Sequence, residues 1–117
     1  MDFYSMTGDV VCHLHTDQNF YLWNGKPVAY VAEDRVFGFN GRQLGWFENG
    51  WFYDRNNQPC LFSAEATGGP ARPVRKVRPV RSTPQKRPQK AVRQVGLAKP
   101  ARSFDWSPIV GPAYFDQ

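Results

Sequence analysis

Aromatic and apolar positions recur every 16 residues along the first half of the chain. Segments that begin at Phe20, Val36 and Phe52 align without a gap, and a fainter copy begins at Phe3 with an offset of 17. Repeats of this kind are typical of architectures in which each unit buries its apolar face against its neighbours. The pattern therefore predicts four equivalent units across residues 3–62.

Each unit has the pattern of a β-hairpin. Asn24-Gly25 and Asn40-Gly41 lie between aromatic and apolar residues, and Asn56-Asn57 takes the same place in the last copy. A two-residue type I′ turn needs positive φ at both positions, which Asn and Gly tolerate. We therefore expect a meander of about eight short antiparallel strands.

Alternation along these strands places one recurring set of side chains on the same face of every hairpin. The set comprises Tyr4, Met6, Val11, His13, Tyr21, Trp23, Val28, Tyr30, Phe37, Phe39, Leu44, Trp46, Tyr53, Cys60 and Phe62. We expect this face to form a shared core around a common axis, because closure would also remove exposed sheet edges. The sequence thus predicts an all-β fold of four antiparallel β-hairpin repeats in a pseudo-fourfold arrangement, followed by a disordered tail.

Charge divides the chain into three segments. Residues 1–66 hold 4 Lys/Arg and 8 Asp/Glu, residues 67–103 hold 11 Lys/Arg and no acid, and residues 104–117 hold two Asp. The middle segment also holds six of the ten prolines and no aromatic residue. Such a composition leaves too little apolar surface to offset the entropy of ordering. We therefore expect a hairpin domain (1–66), a disordered, proline-rich basic segment (67–103) and an aromatic C-terminal segment (104–117).

Three roles are compatible with the basic segment. It could bind the phosphate backbone of DNA or RNA or an anionic membrane surface, act as an expanded tether, or lie on the acidic hairpin domain. The phosphate-binding candidates are Arg72, Arg75, Lys76, Arg78, Arg81, Lys86, Arg87, Lys90 and Arg93. Without aromatic side chains for base stacking, sequence-specific recognition is not expected.

Two further groups of residues are candidates for binding a protein or a ligand. Trp106 is an aromatic anchor that docks either on its own domain or on a partner. Lys26 and Arg42 follow equivalent turns, with Trp23 and Phe39 as aromatic neighbours, and form either a solvated rim or a binding surface held by a rigid scaffold.

Cys12, His13 and His15 form the only metal-like cluster. However, His13 takes the place that aromatic rings occupy in the other copies, and no metal-ligand spacing supports a site. Cys12 and Cys60 are expected to be free, buried thiols in a reducing compartment. Since no catalytic constellation is present, we expect no enzymatic activity, no cofactor and no metal.

The start of the chain lacks the basic region and apolar stretch of a secretory signal, and no apolar run of 18 residues exists. We therefore expect no membrane span and a cytoplasmic location.

Three features of the chain match a known family: the four aromatic hairpins with Asn-Gly-Lys and Asn-Gly-Arg turns, the basic segment, and the terminal Ser103-Phe104-Asp105-Trp106-Ser107 motif. In these features the chain resembles the four-fold beta-flower family of bacterial proteins. The resemblance covers residues 3–62 well and 103–107 loosely. It implies a pseudo-fourfold fold of four hairpins and implies no activity.

The sequence as a whole predicts a non-catalytic binding or adaptor module that contacts a protein through the hairpin domain or the aromatic tail. The alternative is a nucleic-acid-associated accessory protein that acts through the basic segment. Neither reading determines the oligomeric state.

Overall fold

The computed structural model describes all 117 residues. Eight antiparallel strands close into a barrel in chain order. They are β1 (Asp2–Tyr4), β2 (Val10–Leu14), β3 (Asn19–Leu22), β4 (Pro27–Ala32), β5 (Arg35–Phe37), β6 (Gln43–Glu48), β7 (Trp51–Tyr53) and β8 (Pro59–Ser63). β1 pairs with β8, which closes the barrel, and a 3₁₀ helix follows at Gly111–Asp116. The predicted all-β fold of four hairpins is confirmed.

The turn within each hairpin differs from the expected type I′ turn. In the second hairpin the Gly25 N–H donates to the Leu22 carbonyl, and the Leu22 N–H donates to the Lys26 carbonyl. Gly25 has φ +93°, whereas Asn24 is not among the residues with positive φ. This is a three-residue loop in which a left-handed residue follows the turn. It shifts the strand register by one residue, so that Tyr21 pairs with Pro27 instead of Val28.

The barrel interior is filled by residues that directly precede the recurring aromatic positions. The rings of Phe3, Phe20 and Phe52 lie 4.7–5.7 Å apart between centroids. These residues belong to β1, β3 and β7, so their rings meet across the barrel axis. The second interior position of each hairpin is small or aliphatic, as at Ala29 and Gly45, which suits a narrow eight-stranded barrel.

The expectation that the recurring face forms the shared core is wrong for its aromatic rings, although Val11, Leu44 and Cys60 of that face do belong to the central cluster. The central cluster contains Phe3, Phe20 and Phe52, while two separate clusters hold most of the recurring rings. Members of those clusters are Tyr4, Trp46, Trp51, Tyr53 and Phe62, and Tyr30, Phe37 and Phe39. A barrel of such short strands has no room inside for both sets of rings. The recurring rings lie outside and are buried because the second half of the chain covers them.

The C-terminal segment returns to the barrel. Tyr114 on the 3₁₀ helix is fully buried in the central cluster, and its hydroxyl donates to the Tyr53 carbonyl at 2.9 Å. The Gln117 amide donates to the Leu44 carbonyl at 2.8 Å. The last residues of the chain therefore complete the hydrophobic core.

A substitution at Gly45 tests the packing of the C-terminal segment on the barrel. A Cβ at this position would lie 1.9 Å from the Tyr53 carbonyl oxygen and 2.9 Å from the Tyr114 hydroxyl. We expect Gly45→Ala to lower the free energy of unfolding by about 2 kcal/mol or more, through overpacking and strain. Gly68→Ala is the control: Gly68 also has positive φ, but nothing lies within 4 Å of its Cβ position. Denaturant unfolding with equal losses for both variants would contradict the packing.

Candidate functional site

The basic segment follows the outside of the barrel and meets the four hairpins in chain order. Four backbone N–H groups, spaced nine residues apart, each donate to a carbonyl in the turn of one hairpin. The pairs are Lys76 to Gly8, Gln85 to Gly25, Gln94 to Gly41 and Ser103 to Asn57, at 2.8–3.2 Å. Each nine-residue stretch of the basic segment therefore contacts one hairpin.

The expectation that residues 67–103 are disordered is not supported. The apolar surface of the segment itself is indeed small. However, the hairpin domain presents aromatic rings on its outer face and hydrogen-bond acceptors at its turns. The segment is ordered by surface that belongs to another part of the chain, and it needs no core of its own.

Within the segment, nine of the eleven cations recur at multiples of three residues, the period of a polyproline II helix. They are Arg72, Arg75, Arg78, Arg81, Arg87, Lys90, Arg93, Lys99 and Arg102. Six of them stand over aromatic rings of the barrel, with 3.6–5.8 Å between the charged group and the ring centroid. The pairs are Arg75 with Tyr4, Arg81 with Trp23, Lys90 with Tyr30, Arg93 with Phe37, Lys99 with Trp46 and Arg102 with Tyr53. Each such contact is worth roughly 0.5–1 kcal/mol at an exposed site.

A second row, one residue further along, supplies the backbone donors. Every residue of this row from 73 to 103 is either a proline or a donor to the barrel. The donors are Lys76, Ser82, Gln85, Ala91, Gln94, Leu97 and Ser103, and the prolines are Pro73, Pro79, Pro88 and Pro100. Proline has no N–H to satisfy, and the positions of this row that donate no hydrogen bond to the barrel are all prolines.

The third row faces solvent. Val74, Val77, Val80, Val92 and Val95 are each at least 90% exposed, and Phe104 in the same row is 69% exposed. The row's carbonyls approach the hairpin turns closely. A Cβ at Gly41 would lie 2.0 Å from the Val92 carbonyl oxygen. The turn glycines thus allow the backbone conformation of the turn, and they also leave room for the basic segment to approach.

Ion pairs divide the eleven cations into two groups. Five have carboxylate partners: Lys76 with Asp9, Arg78 with Asp2, Arg87 with Asp17, Lys99 with Asp34 and Glu48, and Arg102 with Glu48. A hydrogen bond from Thr7, and then Lys76, lowers the pKa of the Asp9 carboxyl. The other six have no acidic partner and are exposed: Arg72, Arg75, Arg81, Lys86, Lys90 and Arg93. We call these six the free cations.

The rim residues that the sequence singled out do not form one surface. The Trp23 indole lies against the basic segment and donates to the Pro79 carbonyl at 2.9 Å. Lys26 and Phe39 line a groove of about 330 Å³ between the second and third hairpins. Arg42 lines a different depression, with Arg55 and Gln117.

Trp106 packs on its own domain, with 5.4 Å between its ring centroid and that of Trp51 and 6.1 Å to Phe62. The next residue, Ser107, is buried, and its hydroxyl donates to the Asp54 carboxylate. Sequence reasoning missed this contact. The available signal was Asp54 itself, a carboxylate at the position that Leu22 and Gly38 occupy in other hairpins.

His13 occupies the ring position of its hairpin, as the sequence predicts. It is fully buried beside Tyr21 and Trp23, and neither ring nitrogen has a hydrogen-bond partner. Burial, with a smaller contribution from Arg81, lowers the pKa of His13 to about 4. The structure contains no group of three or more His, Cys, Asp or Glu residues that could hold a metal ion.

Both cysteines are free and buried. Burial raises the pKa of Cys60 to about 12 and raises the pKa of Cys12 well above its usual value. Neither is therefore a thiolate nucleophile near neutral pH, because reactivity depends on the ionised form.

Removing the Trp106 side chain should destabilise the whole chain. We expect Trp106→Ala to lower the free energy of unfolding by about 2 kcal/mol, because a half-buried ring leaves two aromatic neighbours uncovered. Phe104→Ala, two residues away and exposed, is the matched control and should change stability by less than about 0.5 kcal/mol. Thermal unfolding with an unchanged midpoint for Trp106→Ala would mean that this ring has another partner.

His13 should make stability depend on pH. Its lowered pKa means that the unfolded chain binds a proton more readily, so the contribution of neutral His13 is lost as pH falls from about 6.5 towards 4. His13→Phe, which matches Phe62 in the equivalent position, should lose less stability over this range than the unsubstituted chain. Equal pH profiles for His13→Phe and the unsubstituted chain would contradict the burial of a neutral imidazole.

No helix of the structure is long and apolar enough to cross a lipid bilayer. No curated protein and no solved structure matches the chain. The family model of the 4-fold beta flower protein matches residues 1–115, a range that includes the hairpin domain, the basic segment and most of the C-terminal segment. The expected resemblance is confirmed, and the chain belongs to the 4-fold beta flower protein family.

Proposed function

We propose that this protein is a non-catalytic binding module whose partner is a polyanion, the phosphate backbone of a nucleic acid, held by the free cations of the basic segment. The observation that carries the proposal is that six of the eleven cations lie exposed on the rigid barrel without a carboxylate partner. A cation that is already ordered loses less entropy on meeting a phosphate than one on a free chain.

The burial of the aromatic residues favours this function over a protein-binding tail. Trp106 packs against Trp51 and Phe62, and Trp23 is partly covered by the basic segment. Aromatic anchors that already have partners within the chain offer little free surface to another protein. Buried His13 and the raised pKa of Cys60 support a non-catalytic role. A cytoplasmic location remains a prediction from the sequence.

A protein partner remains a second candidate at one place. The groove between the second and third hairpins combines Lys26 with the apolar side chains of Leu22, Val28, Phe39 and Phe115. An adaptor function of the hairpin domain would use this groove.

The two candidates respond differently to matched charge removal. Arg72 and Lys86 are exposed and make neither an ion pair nor a cation–π contact, so Arg72→Gln/Lys86→Gln leaves the docking of the basic segment intact. Fluorescence anisotropy with a labelled oligonucleotide should show weaker binding for this double variant. The slope of log K against log salt should become shallower by about 1 to 2.

Lys26→Gln/Arg42→Gln removes the same charge from the rim of the hairpin domain and should weaken binding less. A larger loss with the rim pair would place the contact at the rim instead. Undetectable binding by the full chain even at low salt would refute the proposal.

A further inference from the structure

The free cations are arranged on a curve. The molecule is a flat disc with extents of 37 × 36 × 21 Å, and the basic segment meets the four hairpins in order around it. At the rise of about 3.1 Å per residue of a polyproline II chain, residues 72–102 extend about 93 Å. The circumference of a disc 36 Å across is roughly 113 Å. The segment therefore follows most of the perimeter.

The free cations occupy more than half of that perimeter. They run from Arg72 to Arg93, which corresponds to an arc of about 65 Å at the same rise per residue. Three of them, Arg75, Arg81 and Arg93, stand over rings of the first, second and third hairpins. A polyanion must bend around the disc to meet all six.

We infer that the ligand is a single-stranded nucleic acid that follows this arc, rather than a duplex; the inference rests on the proposed function. Duplex DNA has a persistence length of about 150 base pairs, so against a disc of this size it behaves as a straight rod. A rod touches a curved edge over a short stretch, where it meets about two or three of the six cations. A single strand is flexible enough to meet them all.

The side chains between the cations indicate that the bases are not read. The solvent-facing row of the segment contains Val74, Val77, Val92 and Val95, and none of these offers an aromatic surface for base stacking. Binding is therefore expected to be independent of sequence and to depend on length. The arc accommodates about ten nucleotides, within the range of site sizes known for single-strand-binding domains.

The full chain should be titrated with oligothymidylates of 4, 8, 12 and 16 nucleotides and with a 16-base-pair duplex at several salt concentrations. For single strands the salt slope should steepen with length and level off near about −4 once six phosphates are engaged. The duplex slope should stay between about −2 and −3, with affinity about tenfold weaker than that of the 12-mer at low salt.

A double variant at the two ends of the arc, Arg72→Gln/Arg93→Gln, tests the curved path itself. It should make the slope for the 12-mer shallower by about 1.4 and change that of the 4-mer by no more than half as much. Oligouridylate of the same lengths distinguishes RNA from DNA, which share this backbone chemistry. Equal or steeper slopes with the duplex would overturn the inference and leave the proposed function standing, whereas binding of neither form would refute both.

Discussion

The structure depends on the contact between a row of cations and the ring-bearing outer face of the barrel. Rings such as Tyr30, Phe37 and Tyr53 would be an exposed apolar band on an isolated barrel. Lys90, Arg93 and Arg102 cover them, and long aliphatic stems allow such side chains to shield apolar surface while their charged ends stay in water. The basic segment thus covers the apolar rings of the hairpin domain. The hairpin domain in turn supplies the packing surface that the basic segment lacks.

This contact recurs at every hairpin because the repeat of the basic segment and the repeat of the hairpin domain cover the same distance around the barrel. The hairpin domain repeats every 16 or 17 residues, and the basic segment repeats every nine, yet both advance by one hairpin per repeat. Within each nine-residue stretch the period of three separates the cations, the backbone donors and the solvent-facing side chains. A deletion of one residue in the basic segment would move every later cation off its ring, as a register shift does in a strand.

The sequence was sufficient to predict the four hairpins. It was insufficient to predict which face of their strands lies inside the barrel. The spacing of Tyr21, Phe37 and Tyr53 identified four hairpins, because each hairpin is a local unit with its own turn. The alternation of side chains along a strand also placed Phe20 and Tyr21 correctly on opposite faces. It does not say which face turns inward, and ring size suggested the wrong one. The loop at Asn24-Gly25 was misjudged because Asn-Gly is compatible with more than one turn geometry.

The candidate site was predictable in part. The free cations are all among the residues proposed from charge alone, since exposure is the usual state of Arg and Lys. Their order on the barrel was missed, because composition treats residues 67–103 as a uniform mixture. The spacing of Arg72, Arg81, Lys90 and Lys99 by nine was the readable signal. The contact between Ser107 and Asp54 joins residues 53 positions apart, and its only signal was a carboxylate at the position that Leu22 and Gly38 occupy in other hairpins.

Amide hydrogen exchange of the full chain tests the central claim most directly. In the basic segment, the N–H groups of Lys76, Ser82, Gln85, Ala91, Gln94, Leu97 and Ser103 donate to the barrel. They should exchange more slowly than the solvent-facing row at Val77, Val80 and Val95. Protection that recurs every three residues is the result that the account predicts. Uniform exchange at the rate of an unstructured chain across residues 72–103 would contradict it.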